Sequence, residues 1–160
     1  NVIAIDTIKE KLEFSRSLGV KHACTIDRIS EAVQQYAIGG VDCCIEASGR
    51  SENIERGFSH IKPKGGRLVF ASHPPQGEVI RLSPHELISG KTIKGSWGGS
   101  IDPDVDIPVL VDLLMKMPID RLLSKTYRLD QINDALEDLS SGKVFRPLIK
   151  MEHHGYGCEK

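Results

Sequence analysis

What this 160-residue chain lacks narrows its possibilities first. No apolar run approaches the roughly 20 residues that a helix needs to cross a bilayer. No charged-then-apolar leader opens the sequence, which begins N-V-I-A-I-D. Charge of either sign is not in excess: 21 Lys and Arg stand against 22 Asp and Glu, a formal net charge of -1. A field that weak does not gather phosphates in bulk, so neither nucleic acid nor an anionic membrane is expected as a partner. The cysteines Cys24, Cys43, Cys44 and Cys158 include no C-x-x-C pair that could present two thiolates to a metal from one turn. They read as free, mostly buried thiols of a reducing cytosol, and a soluble, cytoplasmic protein is the expectation. G-x-G-x-x-G, the pattern with which glycine loops cradle phosphates, occurs nowhere.

What is present is an alternation of two periods. Residues 1–6 form a short apolar run ending in Asp6. Residues 7–18 then place Ile8, Leu12, Phe14 and Leu18 on one stripe, with Thr7-x-x-Glu10 as a capping box and Gly19 as the stop. "HACTI" is a second strand, residues 30–38 a second helix closed by Gly39-Gly40, and "VDCCIEA" a third strand on which Cys43 and Cys44 face opposite ways. Residues 51–61 carry Ile54, Phe58 and Ile61 at helical spacing, and "GGRLVFAS" returns to strand. Such alternation predicts a parallel sheet with helices on both faces.

The second half continues in kind. A short helix starts at Ser83-Pro84-His85, and "KTIKGSW" is a strand. Residues 107–117 form a helix with Val109, Leu110, Leu113 and Leu114 inward, and "LLSKTYRL" is extended. Asp130 is placed to cap a helix whose Ile132, Ala135, Leu136 and Leu139 share a face. "VFRPLIKM" is a last strand that Pro147 marks as an edge or an exit. In the tail, residues 152–160, His153 and His154 read as solvated neighbours, not as a metal site.

Asp6, at the carboxyl end of a strand, has two readings of equal weight. It accepts hydrogen bonds from the ribose hydroxyls of an adenine dinucleotide, or it is a turn residue at a helix start.

In order along the chain, "VIAIDTIKEKLEFSRSLGVKHACT", "GGVDCCIEASG", "KPKGGRLVFASHPPQGEV", "GKTIKGSWGG" and "INDALEDLSSGKVFRPLI" resemble the nucleotide-binding half of zinc-type medium-chain alcohol dehydrogenases, with the aryl-alcohol and glutathione-dependent formaldehyde branch as the nearest shade. The likeness covers residues 1–151. It implies a doubly wound (Rossmann) parallel sheet without its first strand, glycine loop and first helix, and a cofactor-binding domain over residues 1–151.

By the same resemblance Asp6 binds the adenosine ribose diol and Lys11 supports it with a charge, together favouring NAD over NADP. Ala47 and Ser48 line the adenosine side. The backbone of Ala71, Ser72 and His73 meets the nicotinamide ribose and carboxamide, although His73 stands where a small apolar residue is expected and reads better as a turn residue. Ser96 and Trp97 match backbone contacts to the carboxamide, with Trp97 alternatively packed against a subunit partner. Arg146 reaches the pyrophosphate with a guanidinium suited to bidentate contact.

The zinc ligands and the proton relay of such enzymes are expected outside this chain. The expected parent oxidises a primary alcohol, aromatic alcohols among the candidates, with NAD. The chain alone is expected to be inactive. The rival reading is a nucleotide-binding remnant or dimerising module without turnover. A methyltransferase, which also ends a strand with an acidic residue, would add a closing antiparallel hairpin. "GKTIKGSW" resembles the family's edge strand that pairs with its own copy, so a homodimer or higher homo-oligomer through residues 91–97 is implied. In the order 3-2-1-4-5-6 the absent strand would lie between "NVIAID" and "VDCCIEA".

Overall fold

A computed structural model describes residues 1–123 and 125–151. It divides into two compact units, Asn1–Asp102 and Pro103–Lys160. The first holds β1 (Ile3–Ile5), α1 (Lys9–Ser17), β2 (His22–Cys24), α2 (Ile29–Tyr36), β3 (Cys43–Glu46), α3 (Ser51–His60), β4 (Arg67–Phe70), α4 (Pro84–Ile88) and β5 (Thr92–Gly95). The second holds α5 (Pro103–Leu114), β6 (Lys125–Arg128), α6 (Ile132–Ser140) and β7 (Pro147–Lys150).

Every pairing of named strands among the described residues is parallel, as the alternating periods predict, and the hairpin that a methyltransferase would add is not formed there. The fold is α/β of the partial Rossmann kind. The sheet is not continuous, however. Hydrogen bonding yields β1-β2, β3-β4-β5 and β6-β7 separately. β1 and β3, which the resemblance sets on either side of a further strand, have not closed on each other, so each presents backbone donors and acceptors along one edge.

The core of the first unit forms where α3 crosses β3 and β4. Ile54, Phe58 and Ile61, at helical spacing, are each at most 2% exposed and meet Leu68 of β4, with Cys44, Phe70 and Ile93 packed around them. Each such side chain stabilises the fold by about 1.5–3 kcal/mol relative to exposure. The helix can lie this close because residue 57 is glycine. A Cβ there would stand 2.9 Å from Cys44 Sγ and 3.1 Å from Leu68 Cδ1. Gly40, at φ +108°, turns the chain into β3, and a Cβ on it would stand 2.7 Å from Lys62 N.

Lys91 completes this core from the start of β5. Its buried ammonium donates to Phe58 O at 2.9 Å near the end of α3, pairs with Glu86 Oε1 at 2.6 Å, and lies 5.0 Å from the Phe58 ring centre. A cation at the carbonyl end of a helix also complements its dipole.

In the second unit Tyr127, Ala135 and Val144 form a smaller core with Ile149. Asp138 of α6 accepts from Tyr127 Oη at 2.7 Å, Lys125 Nζ at 3.0 Å and Lys143 Nζ at 3.2 Å. The Tyr127 hydroxyl first, and then the two ammonium groups, hold its pKa down at about 2.

Four local expectations are corrected. The box at Thr7 does not form. α1 starts later, at Lys9, and Asp6 Oδ1 instead accepts Ile8 N–H at 2.9 Å, satisfying a donor that the first turn leaves open. Asp130 does not cap α6, because its carboxylate is engaged by the Arg128 guanidinium through two contacts of 3.1 Å. Val109, Leu110, Leu113 and Leu114 of α5 are exposed, not inward. That helix is apolar nearly all round, so periodicity does not select a buried side. Cys43 is also exposed, on the sheet face away from α3. Cys44, on the covered face, has its thiol pKa pushed up by burial to about 11. Cys158, His153 and His154 lie outside the described residues.

Candidate functional site

In a parallel sheet with crossover helices the strands' carboxyl ends open toward the same rim, and ligands bind there. The segment after β1 begins this rim. Asp6 N–H reaches Cys24 O at 3.4 Å, which brings the ends of β1 and β2 together. Asp6 is half-buried. One of its oxygens takes the Ile8 amide, and a carboxylate, with about four lone-pair sites, keeps capacity for the hydroxyls of a ligand. Lys11 lies in the first turn of α1, half-buried, its amide bonded to Ile8 O at 3.1 Å.

A second group of residues is drawn together at the ends of β3, β4 and β5. Ala71 N–H donates to Glu46 O at 2.9 Å and Ser96 N–H to Phe70 O at 2.9 Å, so parallel pairing continues one step beyond each strand and fixes where the three loops start. Ala47, Ser48, Ala71, Ser72, Ser96 and Trp97 all stand on these loops. His73 and Trp97 meet edge to face, ring centres 4.3 Å apart, on the loops after β4 and β5. Trp97 is 81% exposed, so His73 is the neighbour its ring engages and no core holds it.

The residue that organises the first two loops was not singled out from the sequence. Glu46, the last residue of β3, is 6% exposed. Its Oε1 accepts Ser48 N–H at 2.6 Å and the Ser48 hydroxyl in a short contact, while its Oε2 accepts the Ser72 hydroxyl at 2.5 Å. Asn53 Nδ2, on α3, donates to Ser48 Oγ at 2.9 Å. Gly49 follows at φ +76°, and a Cβ there would stand 3.6 Å from His73 O, a second close approach of the same two loops. A signal for Glu46 existed in the sequence: on a strand, residue 46 shares a face with Cys44, two positions earlier, and that face points at α3.

Arg146 belongs to the other unit, exposed and immediately before β7. The described residues include no cluster of three His, Cys, Asp or Glu side chains suited to a metal, so a zinc ion does not fit the donor set here. A dinucleotide does fit the chemistry of this rim, which offers a carboxylate with acceptor capacity at the end of one strand and short hydroxyl-bearing loops at the ends of others.

Comparison with known proteins supports the fold. A family model described as zinc-binding dehydrogenase matches residues 1–116. Alcohol dehydrogenase-like 5 of Arabidopsis thaliana is 27% identical over 157 residues, covering 94% of this chain and 40% of that protein. The crystal structure of benzyl alcohol dehydrogenase from Acinetobacter calcoaceticus superposes with a TM-score of 0.86 at 30% identity, over 94% of this chain and 42% of the other. A structure from Sinorhizobium meliloti described as a zinc-binding dehydrogenase bound to NADP shares the fold, with a TM-score of 0.79 at 24% identity over 94% of this chain and 45% of the other. The chain thus spans about two fifths of the length of these relatives. With its parallel strands, its rim and more than half its length matched by one family model, the chain belongs to the zinc-binding dehydrogenase family.

Proposed function

We propose that this chain is the cofactor-binding half of a zinc-dependent alcohol dehydrogenase that moves hydride from a primary alcohol to NAD, with aromatic alcohols as the first substrates to test. The observation that carries the reading is Asp6, held at the carboxyl end of β1 by its bond to Ile8 N–H with acceptor capacity left over. A carboxylate there accepts from both hydroxyls of an adenosine ribose and repels a 2′-phosphate, and Lys11 in the next turn supports it. The NADP-bound neighbour is similar in fold alone, so the choice of NAD rests on Asp6.

When bound, the nicotinamide ring accepts the hydride. This chain's own residues bind and orient the dinucleotide: Ala47 and Ser48 along the adenosine side, the backbone of Ala71, Ser72 and His73 beside the nicotinamide ribose and carboxamide, and Ser96 and Trp97 at the carboxamide; Arg146, in the other unit, is assigned the pyrophosphate by the family resemblance alone. The zinc ligands are assigned to a part of the parent enzyme outside this chain. The protein is read as cytoplasmic and as a homodimer joined through residues 91–97, since β5 pairs with β4 on one edge and ends the sheet on the other.

Titration of NADH and NADPH into the wild-type full-length protein and Asp6→Ala tests the reading. A lost pair of charged hydrogen bonds is expected to weaken NADH by about 10- to 100-fold while leaving NADPH nearly unchanged. An unaltered preference removes Asp6 from the site. Oxidation of benzyl alcohol with NAD separates the enzyme from the rival reading, in which cofactor binds and no turnover occurs.

A further inference from the structure

The hydroxyl of Ser72 has one proton, and the structure shows where it goes. Ser72 Oγ donates to Oε2 of buried Glu46 at 2.5 Å, and the other oxygen of that side chain takes the Ser48 amide. What the hydroxyl offers outward is a lone pair. Ser48 donates to the same carboxylate from its amide and its hydroxyl, and its oxygen is further occupied by Asn53 Nδ2 at 2.9 Å. Of the two serines, Ser72 is thus the one with both lone pairs in hand, while Asn53 takes one of those on Ser48.

We propose that Glu46 is a positioning residue that fixes Ser72 as a hydrogen-bond acceptor at the rim, where it takes a donor hydrogen, hydroxyl or amide, from the nicotinamide half of the dinucleotide. This rests on the proposed function, and it adds a polarity to the site that backbone contacts alone do not set. The carboxylate also joins the loops after β3 and β4, so the orientation of Ser72 is set together with that of Ser48.

Glutamine at position 46 separates polarity from shape. Ser48 N–H can only donate, so the amide oxygen of Glu46→Gln must stay on that side and its NH2 must face Ser72. The Ser72 hydroxyl then accepts from the glutamine and turns its own proton outward, which reverses what it offers. Ser72→Ala removes the acceptor with minimal change of volume.

The test is calorimetric titration of NADH and of AMP, which carries only the adenosine side, into the full-length wild type, Glu46→Gln and Ser72→Ala, together with amide exchange at Ser48. Both variants are expected to weaken NADH about tenfold, the effect of one lost hydrogen bond, and Ser72→Ala, which leaves the bonds between Glu46 and Ser48 in place, to bind AMP as wild type does. In Glu46→Gln the Ser48 amide should exchange faster, because a neutral acceptor replaces a carboxylate. Unchanged NADH affinity in both variants overturns the proposal, and so does an equal loss of NADH and AMP in Ser72→Ala, which would mean general damage to the rim. A wild type that binds neither NADH nor NADPH overturns the proposed function, and this inference with it.

Discussion

Asp138 and Glu46 each collect three donors, one in each unit, but the donors differ in kind. Asp138 is met by a phenol and two ammonium groups, with its side chain 18% exposed. Glu46, at 6% exposed, is met by a backbone amide and two hydroxyls, and among the described residues it enters no salt bridge. Cations next to water neutralise Asp138 where it stands, so that knot ties β6, α6 and the turn after it whether or not a ligand is near. A buried carboxyl group held by neutral dipoles depends on every donor being in place. The donors of Glu46 come from two loops at the rim. One carboxylate is a clip for a small core, then, and the other shapes the ends of strands.

Removing the buried side chain should break the comparison most visibly. Glu46→Ala strands the Ser48 amide and two hydroxyls, and a loss of about 2–3 kcal/mol is expected in urea unfolding. A variant as stable as wild type would show that the carboxylate organises nothing.

A smaller effect is expected at the other hub, and only in acid. The folded pKa of Asp138 is depressed from 3.8 to about 2. Its contribution is therefore fully present above the unfolded value and is lost as pH falls through the folded one, between about pH 4 and pH 2. Asp138→Asn should flatten the acid limb of the stability curve in that window and change little near neutrality. Added salt should mimic the substitution in part by screening the lysines. An acid limb identical to wild type would mean that the ion pairs do not hold.

The smallest expected effect sharpens the comparison within β3. Cys44 lies on the same strand face as Glu46, with its thiol raised to about 11 by burial, whereas Cys43 is exposed on the other face. Near pH 8 a disulfide-exchange reagent should modify Cys43 well before Cys44, since the thiolate is the reactive form. Equal rates would mean that α3 does not shield the face on which Glu46 sits.

The sequence made the local periods plain and the long-range closure less so. Ile54, Phe58 and Ile61 announced the core helix because three apolar residues at helical spacing have few other uses, and they are buried. Asp6 was visible as a strand-end carboxylate. Its bond to Ile8 N–H was hidden, because Thr7 offered a more familiar cap. The apolar side chains of α5 are exposed where an inward face was expected, because a helix apolar nearly all round carries little phase. Glu46 escaped notice because a charged residue at the end of "VDCCIEA" looks like ordinary strand punctuation. Only the partners, Ser72 lying 26 positions away, reveal it as a hub. The separation of β1-β2 from β3-β4-β5 depends on which strands find neighbours, and residue patterns within one strand do not encode that.

The edge-to-face pair of His73 and Trp97 has a practical consequence. Trp97 is the chain's single tryptophan, it is four-fifths open to water, and its ring rests against an imidazole at the mouth of the rim. Any indole emission from this chain therefore comes from one known place. Its colour, lifetime and quenching register events at the tips of the loops after β4 and β5, with no label attached and no second indole among these 160 residues.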